Sequence, residues 1–403
     1  MELEIPDVFA EPRRLGAGAR RLSLVALGAG LLALAAAAAL GFSAGDHGKG
    51  FYFAWLVNFG YVLSLSLGAL FFVILQHLTR AGWSVVVRRI AEAVAGTLPL
   101  VALLLLPVLA GTHELYHWSH AEAVAADRLL QGKAPYLNVP FFIARCAVYV
   151  AVWWLLSRYY LGRSVRQDAS GDVALTHAMQ RRSAPAMLLF AVTATFASID
   201  LLMSLDPHWF STIFGVYFFA GSIVAFFALL TLTARLLQGG GLLRHLITTE
   251  HYHDLGKLMF AFTVFWAYIA FSQYMLYWYA NIPEETGWFL RRQSGGWGWV
   301  GLVLIFGHFL LPFALLLSRT PKRRPAVLAA VAVWILAMHW VDLHWLVMPE
   351  LRPTAPAPTL LELLLLVGVG GIWLAGVVHV MGRQSLVPER DPRLPESLSF
   401  ENA

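Results

Sequence analysis

Ten apolar runs, each about 20 residues or longer, constrain this chain more than any other feature. They fall at 22–42, 52–76, 93–112, 139–161, 185–205, 209–237, 253–280, 296–318, 325–346 and 359–381. A helix of that length crosses the roughly 30 Å hydrocarbon core of a bilayer. Inside the core each backbone N–H and C=O must be bonded within its own segment, which a helix does. The expected fold class is therefore an all-α polytopic membrane protein with ten transmembrane helices. Charge content agrees: 13% of residues are charged, against about 25% in soluble domains.

The net charge of +5 does not mark a nucleic-acid partner, because the basic residues sort by membrane side. The N-terminal tail, the connections after helices 2, 4, 6 and 8, the C-terminal tail and the helix ends beside them hold 22 of the 29 Lys and Arg residues. Both termini are therefore expected to be cytoplasmic. One cysteine, Cys146, is present, which excludes an intrachain disulfide, a four-cysteine iron–sulfur site and a Cys-x-x-Cys-His haem attachment. The apolar run after residue 21 is too long to read as a cleaved signal peptide.

Residues 196–221 hold two apolar runs separated by Asp206, Pro207 and His208, a pattern that predicts a tight hairpin on the outer side. Helix 5 carries Asp200-Leu201 with Pro207 seven residues after the Asp, and helix 9 carries Asp342-Leu343 with Pro349 at the same spacing. Helices 3 and 7 each end in aromatic and polar residues before a long outer loop. Helices 2 to 5 thus match 6 to 9 in order and orientation, as a parallel repeat would. The alternative is that Asp and Pro commonly end helices. The expected organisation is an N-terminal tail (1–21), a peripheral helix 1 with its loop (22–50), a first four-helix bundle (51–207), a second (208–350), a peripheral helix 10 (351–382) and an irregular C-terminal tail (383–403).

Several polar residues could carry chemistry. His113-Glu114-Leu115-Tyr116-His117 matches the H-E-x-x-H of zinc peptidases, in which two His on one helical face bind metal. In a chain with 14 histidines this short match has little specificity. With Asp206 and His208, the group reads better as a titratable cluster at the outer surface, and no metal is expected. In helix 7, Asp254, Lys257, Ala261, Tyr268, Ser272 and Tyr279 project to one narrow face, with Glu250, His251 and His253 at its cytoplasmic mouth. Such a stripe can relay protons if it faces the bundle interior; interhelical hydrogen bonding is the plainer reading. His339 and Asp342 lie three residues apart on helix 9 and form a candidate proton-sharing pair, while His344 points elsewhere. Arg145 is the expected counter-charge for Asp200, Gln273 sits at comparable depth, and His308 is near the midplane. No four-His pattern for haem b is present.

The order Ser204-Leu205-Asp206-Pro207-His208-Trp209-Phe210-Ser211-Thr212, then Gly215-Val216-Tyr217, resembles the ActF-type membrane subunits of alternative complex III. So do His253-Asp254-Leu255-Gly256-Lys257, Ala270-Phe271-Ser272-Gln273-Tyr274 and Trp278 to Glu285. Those subunits belong to the NrfD and polysulfide-reductase membrane-subunit family. The resemblance implies a respiratory-chain complex that oxidises menaquinol and delivers electrons to cytochrome c or a terminal oxidase. It implies haem c and iron–sulfur clusters on partners: a multihaem cytochrome c, an iron–sulfur subunit, a sister NrfD-like subunit of the ActC type and small membrane subunits, with lipid around them. It further implies proton half channels, an inner one through Glu250, His253, Asp254, Lys257, Tyr268 and Ser272 and an outer one through Asp200, His339 and Asp342. An intramembrane zinc peptidase and a secondary transporter are the other function classes open to such a chain.

Overall fold

A computed structural model describes residues 11–43 and 45–402. Ten helices in it are long and apolar enough to cross a membrane: α1 (Ala17–Phe42), α2 (Lys49–Leu78), α3 (Val85–Ala110), α4 (Val139–Ser170), α5 (Val173–Leu205), α6 (Phe214–Gly239), α7 (Thr249–Ala280), α8 (Trp297–Leu317), α9 (Pro325–Glu350) and α10 (Leu360–Gly382). An even number of crossings brings the two ends of the described chain to one side, called here the terminal side; the α5–α6 connection lies on the other, the hairpin side.

Helix bounds depart from the hydropathy reading where charges are paired. α3 starts at Val85, not 93, because Arg88 and Arg89 both bond Glu92, at 3.1 and 2.9 Å. Arg89 also reaches Asp168 of α4 at 2.7 Å, and Arg88 pairs with Asp391 of the C-terminal tail. All three of these α3 side chains are buried. The expected loop 162–184 shrinks to Gly171 and Asp172: Gly171 takes φ +68°, and the Asp172 side chain accepts from the N–H of Ala174 at 2.9 Å. α4 has 32 residues, about 48 Å at 1.5 Å per residue, so its polar last turns extend beyond the hydrocarbon.

α2 and α6 are the most buried helices. α2 packs on α3, α5, α6, α9 and α10, and α6 packs on α2, α5, α7 and α9. Gly68 sets their crossing, since a Cβ there would lie 2.5 Å from Phe226 Cβ and 2.8 Å from the Ser222 carbonyl oxygen. Gly68→Val is expected to cost roughly 1–3 kcal/mol by overpacking, read as a lowered unfolding temperature of the detergent-purified protein. On the periphery α1 lies along α10. Gly30 and Gly371 allow the backbones to touch, a Cβ on Gly371 being 2.8 Å from the Ala26 carbonyl oxygen; small residues permit such close approach in membranes.

The hairpin is looser than its sequence suggests. α5 closes in a 3₁₀ turn, Met203–Leu205, and α6 begins at Phe214, so residues 206–213 form the connection. Trp209, expected to open α6, is buried in it and stacks on Trp288 at 4.2 Å. The C-terminal tail is also more ordered than its prolines suggest. It contains a short helix, Leu394–Leu398, and bonds Arg13, Trp83 and Glu250 through Leu386, Ser397 and Asn402.

Candidate functional site

Two aspartates with the same local spacing end in different surroundings. Asp200 near the end of α5 is fully buried and receives both arms of Arg145 from α4, Nε at 2.8 Å and Nη2 at 3.0 Å, together with the Tyr149 hydroxyl at 2.7 Å. The Arg145 guanidinium also lies 3.8 Å from the Tyr136 ring centre. This is a closed ion pair with bidentate geometry, the arrangement an arginine and a carboxylate adopt most strongly. Asp342 of α9 is equally enclosed, but its partners are neutral: the Tyr217 hydroxyl of α6 and Trp266 Nε1 of α7, the latter at 3.2 Å. Among the described residues no basic side chain pairs with it.

Around Asp342 lies a buried polar group that only packing assembles. The Trp266 ring is 4.1 Å from the His308 ring, and His308 is 6.4 Å from His339, centre to centre. His339 Nε2 meets Ser64 Oγ of α2 at 2.8 Å. His308 and His339 are both 1% exposed. Neither ring nitrogen of His308, nor Nδ1 of His339, has a hydrogen-bond partner among the described residues. Five helices therefore converge here: α2, α6, α7, α8 and α9.

Local chemistry explains how His308 reaches the group. It sits in a π-helical stretch, Leu304–Leu310, within α8. Pro312 follows four residues after His308 and has no N–H to return to its carbonyl, so the regular helical ladder cannot continue there; π-turns absorb such faults and recur at functional sites. Trp334 of α9 donates to the Gly307 carbonyl at 2.7 Å. A Cβ on Gly307 would lie 2.8 Å from Met338 Sδ, so the glycine lets α9 approach. Gly221 does the same for His339, whose ring would be 3.2 Å from an added Cβ.

His339 and Asp342 do not form the expected pair. Although three residues apart, they diverge, His339 toward α2 and Asp342 toward α6 and α7. The helix 7 stripe turns away from the interior: Tyr268 is 64% exposed, and Lys257, Ala261 and Tyr279 are exposed as well. At its terminal-side end Glu250 is clamped by Arg323, with Nη1 at 2.8 Å, and Lys257 pairs with Asp254 and donates to Asn402. His253 is buried nearby. Gln273, on another face of α7, accepts from Ser211 Oγ at 2.9 Å and ties the helix to the α5–α6 connection.

On the hairpin side His113 and His117 are exposed, with Glu114 partly so. They do not share a helical face, because the backbone turns extended at Tyr116, φ −115° and ψ 117°. His120 Nε2 instead meets the His113 carbonyl at 2.7 Å. No group of three or more His, Cys, Asp or Glu is placed to hold a metal ion among the described residues. Asp206 belongs to a separate clamp, paired with Arg291, while His208 meets Asp127 at 2.5 Å. The His208 bond, followed by the Leu129 N–H, holds the Asp127 carboxyl below its ordinary range.

No family model matches the chain, and no curated protein is significantly similar to it. The polar core must therefore be read from its geometry.

Residue patterns alone missed Tyr217, Trp266 and Ser64, which hold the site together. Tyr217 and Trp266 lie in aromatic-rich runs where nothing local separates a hydrogen-bonding ring from a packing one. Arg292 was missed too. It is buried over the Trp288 ring at 3.5 Å and donates to the carbonyls of Trp345 and Leu346 at the end of α9; burial brings its guanidinium down to about 10, Glu350 opposing. A parallel exists earlier in the chain, where Tyr116 and Trp118 donate to the carbonyls of Leu201 and Ser204 at the end of α5. The α3–α4 connection thus caps α5, and the α7–α8 connection caps α9.

Proposed function

We propose that this chain is an integral subunit of a multi-subunit quinol:electron-acceptor oxidoreductase of the bacterial inner membrane, of the ActF type within the NrfD and polysulfide-reductase family. In this reading helices 2–5 and 6–9 form two bundles, α1 and α10 are peripheral, and both termini are cytoplasmic. The redox groups, haem c and iron–sulfur clusters, belong to partner subunits, and menaquinol is the electron donor of the assembly. The chain anchors those partners and moves protons.

The observation that carries the proton-moving part is the enclosed set Asp342, His308 and His339. Among the described residues three ring nitrogens are left without partners, and a carboxyl group is held only by neutral donors. Buried ionisable groups at membrane depth mark ion and proton routes more often than structural ties. An imidazole can accept a proton at one nitrogen and release one from the other, and Asp342 can exchange one through the Tyr217 hydroxyl. Glu250, His253, Asp254 and Lys257 gather titratable groups at the terminal-side entrance. Asp200 enters this scheme as an anchored structural charge, since both carboxylate oxygens are occupied by Arg145.

The test is purification of the tagged chain from its native membranes in mild detergent. Subunits with haem and iron–sulfur absorbance that follow it in stoichiometric amount, with quinol oxidation in the same fraction, are the expected result. A chain that purifies alone and catalyses solute exchange in vesicles would overturn the reading in favour of a transporter.

A further inference from the structure

The buried polar site leaves unused a group of cations on the outer surface, where α4 and α5 pack together at the terminal side. Arg158, Arg163 and Arg166 come from α4, Arg181 and Arg182 from α5. Arg163 is half-buried and the other four are exposed. None of the five forms an ion pair or a hydrogen bond among the described residues. The carboxylates nearest in sequence are committed, Asp168 to Arg89 at 2.7 Å and Asp172 to the N–H of Ala174 at 2.9 Å. By contrast, the buried Arg88, Arg89, Arg145 and Arg292 each meet a carboxylate. Tyr159 draws two of the unpaired cations together: the guanidinium of Arg163 lies 3.7 Å from its ring centre and that of Arg182 lies 5.3 Å from it. No other ring among the described residues carries two cations, and this ring is fixed, because its hydroxyl donates to the Ala178 carbonyl of α5 at 3.0 Å.

Charge and depth together say what covers this surface. Arg182 lies about 28 Å along the axis from Leu201, the last residue of regular helix in α5. That is close to the roughly 30 Å of hydrocarbon, so Arg182 stands at the level of the terminal-side headgroups. Toward the hairpin side, Leu189, Val192 and Phe196 follow on the face of Arg182, and Leu155 and Val148 on the face of Tyr159. These five are 43–60% exposed, and no charged residue interrupts either row. The two rows end at an open-sided cavity of about 310 Å³, walled by Phe141, Val148 and Phe196 and by Arg145 and Tyr149, which are already committed to Asp200. An uncompensated cation pair thus stands directly above a continuous apolar track.

We infer that Arg163 and Arg182, with the track below them on α4 and α5, form a binding site for one anionic phospholipid of the terminal-side leaflet. Its phosphate lies between the two guanidinium groups, which offer the planar, paired donors that phosphate oxygens accept best. One acyl chain follows Leu155, Leu189 and Val192 toward the cavity. A soluble anion or an acidic protein segment would use the arginines and leave the track empty. A zwitterionic lipid would cover the track and leave the cationic excess uncompensated. Arg20 and Arg21 at the head of α1 also precede exposed apolar residues, Leu24 and Val25, but they lie on one helix and share no ring. The site touches neither Asp342 nor the two buried histidines, and it holds whatever reaction the chain serves.

The test uses the full chain, purified from its native membranes with any bound partners and placed in phosphatidylcholine vesicles. These carry a trace of phosphatidylglycerol with a photoreactive group at the end of one acyl chain. The expected result is labelling of α4 between 148 and 155 and of α5 between 189 and 196, removed by excess unlabelled phosphatidylglycerol and untouched by added inorganic phosphate. Arg163→Gln with Arg182→Gln should lower that labelling about thirtyfold, roughly fivefold for each arginine facing an anionic lipid. Arg20→Gln with Arg21→Gln removes the same charge and should leave it unchanged, while Arg163→Lys with Arg182→Lys should restore most of it. All six positions are accessible or half-buried, and unchanged thermal unfolding of each double variant confirms that the fold is intact. Equal labelling in the two Gln variants would reduce the effect to general attraction of anionic lipid and overturn the site. Displacement by inorganic phosphate, or absence of label because a partner polypeptide covers both helices, would overturn it as well.

Discussion

Replacing Arg145 by methionine while Asp200 stays is expected to destabilise the protein by about 3–5 kcal/mol, the usual result of stranding one member of a buried ion pair. Asp200 is fully enclosed, and its carboxylate receives the Arg145 guanidinium and the Tyr149 hydroxyl. Asp200→Leu should do comparable damage, because the guanidinium then keeps the Tyr136 carbonyl at 2.8 Å but loses its counter-charge. The double variant Arg145→Met with Asp200→Leu should regain most of the loss, since neither charge is then buried alone. Thermal unfolding of the three variants in detergent measures this directly. Single variants within about 1 kcal/mol of wild type would mean that the pair is solvated and holds nothing together.

Asp342→Asn is expected to act on proton movement and leave the fold intact. The amide is nearly isosteric: its oxygen can accept from Trp266 and its nitrogen can donate to the Tyr217 oxygen, which leaves the Tyr217 O–H as the one donor without its acceptor, at a cost of about 1–3 kcal/mol. What disappears is the group to which the proposed function assigns proton exchange. In proteoliposomes of the whole assembly, proton release coupled to quinol oxidation should slow by on the order of 10²-fold, a common contribution of one positioned proton-transfer group. Asp254→Asn should lower it less, since Asp254 sits at the terminal-side entrance beside Glu250 and Lys257, where water and neighbouring groups can substitute. An unchanged proton-to-electron ratio in Asp342→Asn would end the claim that protons pass this site.

His308 makes the contrast between local pattern and packing concrete. Its depth in the eighth apolar run is readable from residue order, and Pro312 four residues later announces a fault in the helix. Its neighbours are not readable: Trp266 comes from 42 residues earlier in the chain, and Gly307 and Gly221 matter only because other helices press against them. The Arg88, Arg89 and Glu92 group shows the reverse error. Hydropathy excludes these residues from a membrane helix, yet Asp168 and Asp391, distant in sequence, neutralise them and α3 continues through.

From residue order alone follow the ten crossings and the depth of each polar residue, because apolar run length is a local quantity matched to bilayer thickness. The spacing of Asp200 and Asp342 from their prolines is local too, and it makes them look alike. Arg145, the counter-charge expected for Asp200, does reach it from α4, whereas only the packed helices decide that a phenol and an indole, from α6 and α7, are what meet Asp342. The α7 stripe obeys the same division: 3.6-residue periodicity gathers Tyr268 and Ser272 on one face, and the neighbours that bury Trp266 and Gln273 turn that face outward.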